Sequence, residues 1–195
     1  GVTDSAAQRS LKDTDAQLHH RNVLINLIQG GDWETEDDWE LWLGSGVPEI
    51  TDGSDGGVVL NGSYSVWLGG TDSDDSIWYP LSFPETIATN QTSTLQFDLL
   101  MEDLDPGFDS FCVDITDVSG FSIGPFENGP ECFDDETPGT ILTYTRDFTA
   151  NELASLAGQT GYLVLFTQND GVDPHLSTFV DDIVLNVDFA APTLV

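Results

Sequence analysis

Two segments near opposite ends of the chain alternate apolar and polar residues with a period of two. They are Leu60-Asn-Gly-Ser-Tyr-Ser-Val-Trp-Leu-Gly-Gly70 and Ser177-Thr-Phe-Val-Asp-Asp-Ile-Val-Leu-Asn-Val187. Successive side chains on a strand point to opposite faces, so this pattern sets one face on a core and one toward water. Similar runs predict strands near 38–43, 58–68, 75–83, 93–102, 109–117, 139–148, 160–169 and 177–188. Turns between them are marked by Asp52-Gly53, Asp55-Gly-Gly57, Gly69-Gly70, Asp105-Pro-Gly107 and Asn169-Asp-Gly171. Many short strands with Gly and Asp turns predict an all-β chain of two packed sheets rather than an α/β protein. One short helical turn is predicted after Thr149, an N-cap with Glu152 three residues later, and Gly158 ends it.

These segments resemble the bacterial extracellular jelly-roll modules related to galactose-binding-like and carbohydrate-binding β-sandwiches. Such modules open with a Gly-Gly-(Phe/Trp)-Glu element, here Gly30-Gly-Asp-Trp-Glu34. They carry a Gly-Ser-Tyr-Ser-x-Trp-Leu-Gly strand, here Gly62 to Gly69, and close on Val-Asp-Asp-(Ile/Val)-x-Leu, here Val180 to Leu185. The resemblance implies an antiparallel two-sheet jelly roll over residues 29–188, with an N-terminal arm at 1–28 and a tail at 189–195. It also implies core burial of Trp67 and one structural calcium where the first and last strands meet. The matching positions are Glu34, the Asn61 to Ser63 turn, and Asp181 or Asp182. Asp181 is the better ligand, because strand alternation sets it on one face with Phe179 and Ile183. A carboxylate among apolar side chains needs a cation or donors.

Charge narrows the partners. The chain has 35 Asp and Glu against four basic residues, Arg9, Lys12, Arg21 and Arg146, for a net charge of −31. Such a surface repels nucleic acid and anionic membrane, which drop out as partners. It suits either a high-salt milieu or an extracellular protein loaded with divalent cations. The acid-rich stretches 71–75, 102–105 and 134–136 fall in predicted loops, as the second explanation requires. The sequence begins at Gly1 and has no transmembrane run, so a secreted or cell-surface location is expected. Cys112, in a predicted strand, and Cys132, in the loop after it, are the only cysteines. In an extracellular chain they predict one disulfide, worth about 3 kcal/mol by loop entropy.

Sugar-binding sandwiches stack a pyranose ring on an exposed aromatic, which makes Trp42, Trp78 and Tyr79 the candidate ligand-binding residues. Trp39 shares a face with Leu41 and Leu43 and is expected in the core, whereas Trp42 shares the other face with Glu40. Trp78 and Tyr79 point oppositely, so one of them is the exposed member. Catalysis has little support. The only histidines are His19, His20 and His175, and no nucleophile elbow or His-Glu-x-x-His motif occurs. The expectation is therefore a non-enzyme. Glycosylation sequons lie at Asn61-Gly-Ser63 and Asn90-Gln-Thr92, and Asn90 is the better acceptor.

Asn22-Val23-Leu24-Ile25-Asn26-Leu27-Ile28 has strand composition ahead of the module. It can pair within its own subunit, or with a neighbour by strand addition, which propagates into a filament. The first functional expectation is accordingly a non-catalytic extracellular structural subunit, polymerised through this arm and stabilised by calcium. The alternative is a carbohydrate-binding module of a secreted hydrolase or peptidase. The partner is a copy of the chain in the first case and an extracellular polysaccharide in the second.

Overall fold

The alternating runs become strands wherever one face finds a core to cover. The computed structural model describes residues 22–35, 39–42, 49–70, 74–87 and 93–190. Their strands are β1 (Asn22–Asn26), β2 (Glu40–Trp42), β3 (Glu49–Thr51), β4 (Ser65–Gly69), β5 (Ser76–Ser82) and β6 (Ser93–Glu102). There follow β7 (Ser110–Asp117), β8 (Glu131–Phe133), β9 (Ile141–Phe148), β10 (Thr160–Gln168) and β11 (Ser177–Ala190). Helix α1 (Ala150–Leu156) lies between β9 and β10. Its capping box is complete: the Glu152 amide donates to Thr149 Oγ1 at 3.3 Å, and the Thr149 amide donates to Glu152 Oε2 at 2.6 Å.

The strands form two antiparallel sheets, a jelly-roll sandwich as the sequence predicted. One sheet runs β3-β4-β11-β6-β9, with β1 also on β11; the other runs β2-β5-β10-β7-β8. Between them lies one apolar cluster, including Leu95, Phe97 and Leu99 of β6, Ile77 of β5, Leu163 and Leu165 of β10, and Leu185 and Val187 of β11. Trp33 and Ile28 close one end of it, and Trp39 packs on Trp33 and Tyr79 at ring distances of 4.8 and 5.0 Å.

Several expectations need correction. The run at 58–64 is not a strand, because the chain turns at Asn61–Ser63 with Gly62 at a left-handed φ of 61°. Cys132 lies on β8 rather than in a loop, directly opposite Cys112 on β7, and the predicted disulfide joins the two strands. Trp67 stacks on Phe179 at 5.4 Å and stays outside the main cluster. Asp181 shares no face with Ile183. Val180 and Ile183 both enter the core, because a register shift after Asp181, with Asp182 at φ 51°, switches the faces of β11.

The arm strand is paired at home. Asn22 to Asn26 run antiparallel to Ala190 to Asn186 of the same chain, so these backbone groups are used within the subunit. Leu27 continues by donating its amide to Leu185 O, and Ile28 is buried in the core. Residues 1–21 lie outside the described residues, as do Asn90 and the tail beyond Ala190.

Gly161 shows how tightly the five-stranded sheet is drawn together. A Cβ at this position would stand 1.8 Å from Thr116 O on the neighbouring β7. Gly161→Ala is expected to push β10 off β7 and destabilise the domain by about 2–3 kcal/mol, as overpacking does. Urea unfolding of the variant beside the parent measures it.

Candidate functional site

Strand register lays out the outer face of the five-stranded sheet. Glu40, Trp78, Val164 and Asp114 form one row across β2, β5, β10 and β7. The next row holds Ser76, Phe166 and Cys112, with the backbone of Trp42 paired to Ser76, and on the other side Pro80, Tyr162 and Thr116 align. The inward neighbours Ile77, Tyr79, Leu163 and Leu165 hold this face in place by packing into the core.

A cleft of about 350 Å³ opens on this face, lined by Asp74, Asp75, Trp78, Asp114, Thr116 and Phe166 among others. That is within the range of small-ligand sites, about 300–1,000 Å³. Trp78 is half-buried. Its indole is braced edge-on by Tyr162 at 5.5 Å, and its Nε1 donates to Ser76 Oγ at 2.9 Å. Asp114 is only 6% exposed and Thr116 4%. Ser122 Oγ donates to Asp114 Oδ2 at 2.6 Å, while Asp114 Oδ1 and Thr116 Oγ1 have no hydrogen-bond partner among the described residues. Burial raises the Asp114 carboxyl above its ordinary range, offset only in part by the Ser122 hydroxyl and the Ile115 amide. Polar residues with unmet hydrogen-bonding capacity in the wall of a cleft, beside an aromatic side chain, are chemistry that suits a hydroxyl-rich ring.

Of the predicted aromatic residues, Trp78 therefore lines a cleft. Tyr79 does not: it is 4% exposed, packs on Trp39 and accepts from the Gln29 amide at 2.9 Å. Trp42 has its backbone on β2 opposite Ser76, and its side chain lies outside the described residues. Tyr162, Phe166, Asp114 and Thr116 were missed. The signal was present in the alternation of Cys112, Asp114 and Thr116 against Phe111, Val113 and Ile115, and of Tyr162 and Phe166 against Leu163 and Leu165.

The predicted calcium positions also come together, at the place where β11 changes partners. Asp181 is fully buried there. Its Oδ2 accepts from the Asn61 amide at 3.0 Å and from Ser65 Oγ at 2.7 Å, and its Oδ1 from the Asp182 amide at 2.8 Å. Asp182 Oδ2 accepts from Asn61 Nδ2 at 2.8 Å, and Glu34 Oε1 from the Ser63 and Tyr64 amides at 2.6 and 3.2 Å. Burial pushes the Asp181 carboxyl up to about 6 despite the opposing pull of Ser65 and the two amides. Among the described residues no group of three or more His, Cys, Asp or Glu side chains is arranged to hold a metal. The carboxylates here clamp a turn by hydrogen bonds.

No family model matches this chain, and no curated protein matches it by sequence. Solved structures do resemble it. The cyclase Fisc from Fischerella sp. TAU superposes with a TM-score of 0.55 at 13% identity, covering 87% of this chain and 100% of the cyclase. The K3 cleaved adhesin domain of Lys-gingipain from Porphyromonas gingivalis W83 does so with 0.50 at 17% identity, covering 84% and 98%. An exo-β-agarase gives 0.50 at 13% identity; the alignment covers 87% of this chain but only 25% of the agarase. Likeness at these identities is likeness of fold.

The junction makes a definite stability claim. Asp181→Ala strands the Asn61 and Asp182 amides and the Ser65 hydroxyl in a buried site, and is expected to cost about 3 kcal/mol. A chemical-denaturation midpoint equal to the parent's would show that the clamp contributes nothing.

Proposed function

We propose that this chain is the carbohydrate-binding module of a secreted protein, with the cleft on the five-stranded sheet as its sugar site. The observation that carries this reading is the placing in one cleft of Trp78, braced by Tyr162, and of Asp114 and Thr116, whose Oδ1 and Oγ1 find no partner among the described residues. Two solved structures of this fold support the choice: one is an adhesin domain of a peptidase, and the other belongs to an agarase. The disulfide agrees with an oxidising, extracellular setting. The internal pairing of β1 favours this reading over a filament built by donating that strand. Trp78→Ala is expected to weaken binding to a cognate polysaccharide at least tenfold, about 1.4 kcal/mol. Affinity electrophoresis through a panel of polysaccharide gels measures it, and a variant retarded as strongly as the parent would exclude Trp78 as the platform.

Calcium at the junction is the second part of the proposal. Asp181 is a buried carboxylate without a cationic partner among the described residues, and Glu34 and Asp182 are fastened to the same Asn61 to Tyr64 turn. A hard cation takes six to eight oxygens, so water, Asn61 and Ser63 would complete the set. It would supply the positive charge that offsets burial of Asp181. With calcium a hundredfold above its dissociation constant, linkage adds about 2.7 kcal/mol. That corresponds to a rise in melting temperature of about 5–10 °C over chelator-treated protein. Coincident melting curves in calcium and chelator would remove the metal from the proposal.

A further inference from the structure

Resting on the carbohydrate reading of the cleft, we propose that its ligand is an amino sugar with a free ammonium group, and that Asp114 is the residue that selects it. The argument starts from the protein's own polar accounting. Asp114 sits mid-strand on β7, in the row Trp78–Val164–Asp114, at 6% exposure. One oxygen takes the Ser122 hydroxyl, and the other has no well-formed hydrogen bond among the described residues, with only the adjacent Ile115 amide acting on the carboxyl. A sugar hydroxyl brings one neutral hydrogen bond to that oxygen. An ammonium brings a full charge and three donors, and bonds between ionised partners are roughly twice as strong.

The surroundings lean the same way. Asp74 and Asp75 line the same cleft. Among the described residues the one Lys or Arg is Arg146, held elsewhere by Glu152 at 3.0 Å and Glu131 at 3.8 Å. A concave site lined by one sign of charge concentrates the opposite sign. Uronic acids and sulfated sugars are repelled, and a cationic ring is drawn in. The indole face of Trp78 adds to this, since aromatic faces attract cations. N-acetylation of the ligand would replace the charge with a bulkier neutral amide and leave Asp114 uncompensated. Thr116 lines the same cleft, and its Oγ1 has no hydrogen-bond partner among the described residues.

The test is calorimetric titration, below neutral pH so that the amine is protonated, with three oligosaccharides of one linkage and length. They are the glucosamine oligomer, its N-acetylated form and the glucose oligomer. The parent protein is expected to bind the glucosamine form at least tenfold more tightly than either of the others. That preference should shrink in high salt and fall to about one in Asp114→Asn, which keeps an acceptor for Ser122. Equal affinity of the parent for the glucosamine and a neutral form overturns the proposal while leaving the carbohydrate reading in place. Binding of the glucosamine form that survives both Asp114→Asn and Trp78→Ala overturns it as well, because attraction to the acidic surface alone would explain it. Failure of all three, together with no retardation by any polysaccharide, takes the carbohydrate reading down too. Selectivity of the parent decides even if a variant does not fold.

Discussion

One buried carboxylate holds the place where the six-stranded sheet changes partners. β11 runs for 14 residues, and its first half pairs with β4 from Ser177 to Val180. Its last part pairs with β1 from Asn186 to Ala190. Between them neither strand covers that edge, and every buried amide and carbonyl there needs another partner. The bulge at Asp182 supplies the solution. It turns Ile183 into the core and lets the Ile183 amide reach Gly31 O at 2.9 Å. Asn26 Oδ1 takes the Leu185 amide, and Asp181 takes the amides and hydroxyl of the incoming turn. Without Asp181 the turn before β4 loses its buried anchor and is left to Asp182 and Glu34.

That closure decides which sheet is left free to bind. On the six-stranded sheet, the outer face near the bulge is consumed by the Asn61 to Ser65 turn and by the Trp67–Phe179 stack. On the five-stranded sheet, among the described residues, a cleft opens on the outer face along β5, β10 and β7. Its far edge is secured by the bond between Cys112 and Cys132, which ties the three-residue β8 to β7. A short edge strand fastened in this way offers little for another chain to pair with. The cleft therefore lies on the sheet whose edges and inner packing are most firmly set.

Most of the fold was legible because it rests on local alternation. β6 falls on its predicted bounds of 93–102, and the Thr149/Glu152 cap appears atom for atom. What stayed hidden depends on distant partners. The short strands β3 and β8 carry three residues each, too few for a periodic signal, and form because β4 and β7 present open edges to them. The bulge in β11 went unread: the adjacent Asp181 and Asp182 interrupt the alternation between Val180 and Ile183, but the doublet alone does not say that the strand shifts register there. Tyr79 was misplaced for a similar reason: period two says that Trp78 and Tyr79 face apart, but only the packing of Trp33 and Trp39 settles which of them faces in.

The buried aspartates separate scaffold from site. Asp181 and Asp109 both engage donors through each of their oxygens; Asp109 meets the amides of Asp170 at 3.1 Å and Asp105 at 3.4 Å. Such groups join segments far apart in the chain, and a fold gains order from them. Asp114 is buried nearly as deeply, yet engages only the Ser122 hydroxyl and the Ile115 amide of its own hairpin and joins nothing distant among the described residues. An apolar residue there would pack into the sheet at no desolvation cost, so stability alone gives no reason for a carboxylate. Groups that burden the fold without serving it concentrate where a ligand completes them. The polar cost left open at Asp114, beside a cleft and an aromatic wall, is the feature on which the proposed role of this face rests.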